Sequence, residues 1–349
     1  MLELIDISKK LGAFRLGPVQ LRIEQGSYFC LAGRSGAGKS VLLELMAGLK
    51  MPDSGRILWK GTDLTLTPAN KRGFGLLFQD NQLFPHFTVK RNIAYAMHRL
   101  GIERKNADLR LKKWAEKLEL VPLLDRYPSG LSGGEAKRVA LARVLAMEPS
   151  ILLLDEPLIS LDASLQRDMR ALLRRLHREG QTILHVTHDY REAYALAGEL
   201  AVIGDGKLVQ QGSPGHVFTH PANAFVAEFT GLKNYFNVIR THAPGNGTCS
   251  FLLDNNFSIE LAVNHTETPS ALIIPEDGIL LFQHEAEAGP GSWKVKLIDK
   301  IPTPGGFEIE LDAGGKLFVK LTDHQLKDIP ENGSTMWCRI KPECVRMIR

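Results

Sequence analysis

Between the apolar run SYFCLA and the helical VLLELMAGL stands GRSGAGKS, Gly33 to Ser40. The pattern G-x-x-x-x-G-K-[S/T], after a strand and before a helix, leaves few choices of fold. Its glycines let the backbone turn N–H groups inward, and the helix start behind them adds the positive end of a dipole. Such a loop cradles phosphate at the end of a buried strand. The rest of the chain then has to supply further strands alternating with helices. ILLLDEP and TILHVTH are such strands, apolar for four or five residues and then polar. DASLQRDMRALLRRLHREG carries apolar residues at helical spacing, with Asp162 near its start and Gly180 at its end.

The sequence of 349 residues has room for about two to three domains. Residues 1–234 read as a doubly wound α/β domain, with a mostly helical insertion at about 85–147 where the strand pattern stops. From 235 to 349 the texture changes. SWKVKLIDKI, GFEIELDAGGKLFVKL and MWCRIKPECVRMI alternate apolar and polar residues between Gly-rich turns, which predicts an all-β domain, a small antiparallel barrel or sandwich. A net charge of +4 with lysines and arginines interspersed among acids argues against a nucleic-acid stripe. Four cysteines without a C-x-x-C pair point to neither zinc nor a disulfide framework. The N-terminal MLELIDISKKL alternates like a strand rather than a signal peptide, and no window reaches the roughly 18 apolar residues of a membrane span.

Each strand end offers chemistry. Lys39 would reach the β- and γ-phosphates of a nucleotide, and the Ser40 hydroxyl would ligate Mg²⁺. Asp155, at the end of ILLLD, would hold the same ion. Glu156, pointing the other way along the pleat, is placed as a general base for water. His188 follows a third core strand on the same edge and could contact the γ-phosphate and that water. Gln79, after GFGLLF, has an amide that could ligate Mg²⁺ or orient water. A different kind of signal is LSGGE, Leu131 to Glu135. Ser132 and Glu135 fit a capping box, which by itself only starts a helix. Gly133 and Gly134 weaken that start, as residues do where something must approach the backbone closely.

GRSGAGKS, a glutamine loop at Gln79, LSGGE, ILLLDEP, SLDA and VTHD occur in the order found in the ATP-binding subunits of ABC transporters. The resemblance covers the first two-thirds of the chain and implies an α/β P-loop ATPase domain that hydrolyses ATP with Mg²⁺. It assigns Gly33, Arg34, Ser35, Gly36, Ala37, Gly38, Lys39, Ser40 and Val41 to the nucleotide, Glu156 to the catalytic base and His188 to the switch histidine. It also implies a head-to-tail pair with a second copy of the chain. Ser132, Gly133 and Gly134 would then cap the nucleotide held by the partner, with Ser160, Leu161 and Asp162 linking the two sites. The family usually stacks an aromatic on adenine near Leu11; here Phe14 is the nearest candidate. Ala136 and Ile159 also depart from the usual residues, without removing a phosphate contact.

The tail resembles the OB-like regulatory domain of importer ATPases. IIPEDGILL and RIKPECVRMI look like its repeated strands, though Ile274 stands where an arginine is frequent. That likeness implies a subunit peripheral to the cytoplasmic face of the membrane, paired with two transmembrane permease subunits and, indirectly, a solute-binding protein. Within the family the sequence looks most like the molybdate/tungstate branch, which implies an oxyanion ligand on the tail; sulfate, ferric iron, polyamine or sugar importers are the alternatives. A soluble ABC-type ATPase acting on nucleic acid or ribosomes would usually carry two ATPase domains or a long coiled-coil insertion. A GTP switch protein would need N-K-x-D, and NKRG at Asn70 lacks the aspartate.

Overall fold

The computed structural model describes residues 1–242, 248–254, 258–262, 269–289, 291–322 and 330–348. The chain divides into two compact units, Met1–Val217 and Phe218–Arg349. In chain order the first unit runs β1 (Leu2–Leu11), β2 (Phe14–Ile23), β3 (Tyr28–Ala32), α1 (Lys39–Ala47), β4 (Ser54–Trp59), β5 (Thr62–Asp63) and β6 (Gly75–Leu77). The helices α2 (Val89–Arg99), α3 (Arg104–Lys117) and α4 (Gly133–Leu145) follow without an intervening strand. Next come β7 (Ile151–Asp155), α5 (Ala163–Arg178), β8 (Thr182–Thr187), α6 (Tyr190–Leu196), β9 (Glu199–Gly204) and β10 (Lys207–Gly212).

Two sheets form. The larger has the order β10-β9-β3-β8-β7-β6, parallel except for the β9–β10 hairpin at its edge. The smaller, β2-β1-β4-β5, is antiparallel throughout. Strands β3 and β8 are buried along their whole length, which is why their sequences read as continuous apolar runs rather than alternating ones. Helix α1 is apolar nearly all round because it shares a core with both sheets: Leu42, Leu45 and Met46 pack with Leu4, Ile7 and Leu21 of the small sheet and Leu31, Leu153 and Leu184 of the large one. This double burial pins the start of α1, and with it the glycine loop, to the carboxyl ends of β3, β7 and β8.

In the second unit α7 (Pro214–Thr219) straddles the division and α8 (Ala224–Phe229) packs ahead of the strands. Then come β11 (Tyr235–His242), β12 (Thr248–Leu253), β13 (Ser258–Ala262), β14 (Ala271–Ile273), β15 (Ile279–Phe282), β16 (Trp293–Thr303), β17 (Gly306–Asp312), β18 (Lys316–Thr322), β19 (Thr335–Ile340) and β20 (Arg346–Ile348). They make two five-stranded antiparallel sheets, β13-β12-β11-β14-β20 and β15-β19-β16-β17-β18. Inward residues of both, among them Phe251, Leu272, Leu297, Leu311 and Val319, share one core.

Candidate functional site

The parallel register brings the polar strand ends to one edge. Ala32 is level with Thr187, Asp155 with Val186 and Leu77 with Leu154, so the residues that follow all emerge together. Here α/β sheets bind ligands.

The loop at Gly33–Gly38 needs its glycines. Gly33 has φ +156°, and a Cβ there would lie 2.2 Å from the Ile203 carbonyl oxygen. Gly38 has φ +101°, and its Cβ would meet the Phe14 ring at 2.8 Å. Gly38 is also the N-cap of α1 and offers no side chain to the free amides of the first turn, which are left for an anion. Lys39 is 4% exposed, and its ammonium curls back to donate to the carbonyls of Gly33 (2.9 Å) and Arg34 (3.0 Å). Burial lowers its pKa, although Glu156 and Asp155 pull the other way. An ammonium has three protons, and these two weak neutral acceptors leave it ready for phosphate oxygens. Loop, helix start and lysine together fit a polyphosphate.

Beside them Ser40 Oγ donates to Asp155 Oδ1 at 3.1 Å. Burial raises the Asp155 pKa; the Ser40 bond opposes this, and the Glu156 charge adds to it. A half-buried carboxylate and a hydroxyl are hard oxygen donors that suit Mg²⁺, and a cation there would relieve the strained ionisation. Glu156 follows with φ +46°, an uncommon conformation for a residue with a side chain. Its amide donates to Val186 O at 3.0 Å, which extends the β7–β8 pairing through the turn. Its carboxylate Oε2 lies 3.0 Å from His188 Nδ1. The backbone twist thus turns Glu156 toward His188 while Asp155 faces Ser40.

The other expected residues have partners of their own. Gln79 is exposed beyond β6, and its carbonyl accepts from Lys137 Nζ at 2.8 Å. Phe14 is half-buried, against Gly38, and lines a shallow cavity of about 370 Å³ with Arg15, Gly36, Asp205 and Lys207. Asp162 caps α5, its Oδ1 accepting from the amides of Ser164 (3.0 Å) and Leu165 (2.9 Å). The capping box of α4 is formed: Ser132 Oγ accepts from Glu135 N and Glu135 Oε2 accepts from Ser132 N. That backbone bond holds the Glu135 carboxyl below its usual range. The two signature glycines differ. Gly133 faces open space, but a Cβ on Gly134 would lie 2.7 Å from Leu165 Cδ1 of the same chain. Gly134 is therefore explained by helix packing as well as by anything that approaches from outside.

Three groups escaped the sequence reading. Lys137 and Arg143 look like ordinary surface cations in AKRVALAR, yet Lys137 is 3% exposed. Beneath the site, Tyr28 Oη bonds His185 Nδ1 at 3.0 Å. Glu192 accepts from Thr187 Oγ1 at 2.8 Å, and Thr187 Oγ1 accepts from Asp189 N at 3.0 Å, bracketing His188.

A family profile described as "ABC transporter" matches residues 16–159. The sulfate/thiosulfate import ATP-binding protein CysA of Thermosynechococcus vestitus is 43% identical over 265 residues, 74% of this chain and 79% of that protein. The chain belongs to the ABC transporter family. The Fe(3+) ions import ATP-binding protein FbpC 1 of Rhizobium meliloti is 44% identical over 231 residues, 66% of this chain and 65% of that protein. A dimeric, post-hydrolysis ATP-binding cassette bound to ADP and Pi superposes with a TM-score of 0.55 at 26% identity, covering 61% of this chain and 99% of that one. This chain is an ATP-binding subunit of the importer group of ABC transporters, and ATP hydrolysis is its activity.

Proposed function

We propose that the chain powers uptake of a small inorganic anion, sulfate or thiosulfate before molybdate or tungstate. The observation that carries the ATPase part is the convergence of Lys39, the Ser40–Asp155 pair and the Glu156–His188 pair on one strand edge. The substrate part rests on the CysA relative; the molybdate/tungstate expectation rests on the sequence resemblance alone, and the FbpC relative keeps iron as the alternative.

In this reading the glycine loop and α1 bind the ATP phosphates through backbone amides, and Lys39 leaves its two carbonyls for the β- and γ-phosphates. Phe14 would meet adenine. Mg²⁺, held by Ser40, Asp155 and Gln79, would neutralise charge between the phosphates. Glu156 accepts the proton of the attacking water, and His188 orients its carboxylate and steadies the terminal phosphate. Two copies work head to tail. Ser132 and Gly133 of one chain cap the nucleotide of the other, Asp162 lies in the connecting loop, and the dimeric relative supports the pairing. Phe84, Phe87 and Tyr95 make an aromatic cluster on the helical insertion, with Phe84 and Tyr95 4.6 Å apart and Tyr95 38% exposed. Such a surface suits the two permease subunits at the cytoplasmic face of the membrane. We retain residues 235–349 as a regulatory domain.

The test is reconstitution with the permease subunits in proteoliposomes, with the solute-binding protein present. Sulfate should stimulate ATP hydrolysis and enter the vesicles. Stimulation by molybdate or Fe³⁺ but not sulfate overturns the substrate, and failure to assemble with any membrane subunit overturns the transport role.

A further inference from the structure

Lys137 lies one turn into α4, behind the capping box, where the helix is buried nearly all round, and it shares its face with the buried Ala140 and Leu141. Putting an ammonium there is unfavourable: burial lowers its pKa, against the pull of the Asp80 and Asp155 charges. A methionine would pack at that place without the desolvation cost. The ammonium donates to the Gln79 carbonyl at 2.8 Å. Six residues on, about 9 Å further along the same helix, Arg143 donates to Asn81 O at 3.2 Å and to Gln82 O at 2.9 Å. Two cations of one helix thus grip three carbonyls of the glutamine loop, in which Gln82 has φ +47°. Beyond it Asn92 of α2, 0% exposed, brackets Phe84 by bonding its N and O, and also bonds Phe87 O. The loop leaves the β-sheet at Leu77, but these polar anchors are all helical.

We infer that Lys137, with Arg143, is a positioning residue that ties Gln79 to the signature end of α4 in the same chain. Whatever moves the start of α4 then carries the Gln79 backbone with it, and the amide of Gln79 enters or leaves the site as α4 engages the partner's nucleotide. The inference rests on the proposed head-to-tail ATP sandwich, which it extends: each chain's own metal and water site becomes dependent on its signature helix.

The test has two arms in the full-length chain. The first is backbone hydrogen exchange without nucleotide. Lys137→Met should speed exchange at residues 79–84 about tenfold while α4 stays protected, and Lys137→Arg should restore most of the protection. Unchanged loop exchange, or equal loosening of α4, overturns the tether whether or not the chain dimerises. The second arm is a double-mutant cycle in the Glu156→Gln background, reading the ATP concentration for half-maximal dimerisation. Lys137→Met should raise it about tenfold with Gln79 present and leave it unchanged in a Gln79→Ala chain, because both changes cut one path. Equal effects in the two backgrounds mean packing only and overturn the inference. If Glu156→Gln does not dimerise with ATP, the sandwich reading fails, and the exchange arm still decides the tether. Should Lys137→Met fail to fold, Arg143→Met, at a half-buried position, is carried through both arms with the same outcomes.

Discussion

Replacing Gly134 by alanine separates two explanations of the signature glycines. The new methyl would sit 2.7 and 2.8 Å from the two Leu165 methyls and 3.2 Å from Leu165 Cγ, against an ordinary contact that begins at 3.4 Å. Rotating one methyl away is not enough, because Cγ is also too close; the whole Leu165 side chain has to move by about half an ångström or more. It has somewhere to go. Leu165 borders a cavity of about 460 Å³ between α4 and α5, with Leu161, Met169 and Leu172 around it. The cost therefore falls at the low end for overpacking, about 1–2 kcal/mol. In a unit the size of Met1–Val217 that lowers Tm by about 2–8 °C relative to Gly133→Ala, which shares alanine's gain in helix propensity but meets open space. Gly133→Asp is the counterpart. The site is open, and an acid in the first turn of α4 is favoured by the helix dipole, so Tm should hold. Its negative charge opposes a phosphate approaching from the partner by about 1–4 kcal/mol, so ATP hydrolysis should fall about fivefold or more. Scanning fluorimetry and phosphate release on the three purified variants measure both. A Tm for Gly134→Ala no lower than that of Gly133→Ala refutes the packing account. Wild-type turnover in Gly133→Asp refutes the in-trans role of the signature.

Other outcomes follow from the same geometry. Glu156→Gln should keep ATP binding by equilibrium dialysis but lose about 10²- to 10⁴-fold in turnover; normal turnover would remove Glu156 as the base. Burial raises the Asp155 pKa above the ordinary 3.8, so this group's contribution to stability is greatest below that value and is lost as pH rises through the folded one. Asp155→Asn should accordingly raise the Tm of nucleotide-free, Mg²⁺-free protein at pH 7 while abolishing hydrolysis; a lower Tm at pH 7 contradicts this. Tyr28→Phe leaves His185 Nδ1 buried without its partner, which costs about 1–3 kcal/mol by chemical denaturation; a change below about 0.5 kcal/mol would mean another partner takes over.

The sequence by itself determined the backbone chemistry of the site. GRSGAGKS, ILLLDE and TILHVTH each encode a buried strand and the turn after it within a few residues, and parallel pairing then had to bring Lys39, Asp155, Glu156 and His188 to one edge. The capping box at Ser132 was legible for the same reason: its partners are three residues apart. The antiparallel texture of the tail was legible in its period of two. Tertiary structure decided what depends on distant neighbours. That Gly134 is small because of Leu165, 31 positions later, is invisible in LSGGE. That Lys137 is buried and bonded to a carbonyl 58 residues earlier is invisible in AKRVALAR, where a lysine reads as solvated. Turns and caps are set by torsions and hydrogen bonds within one or two turns of chain, whereas burial is a property of whichever surface another segment happens to cover.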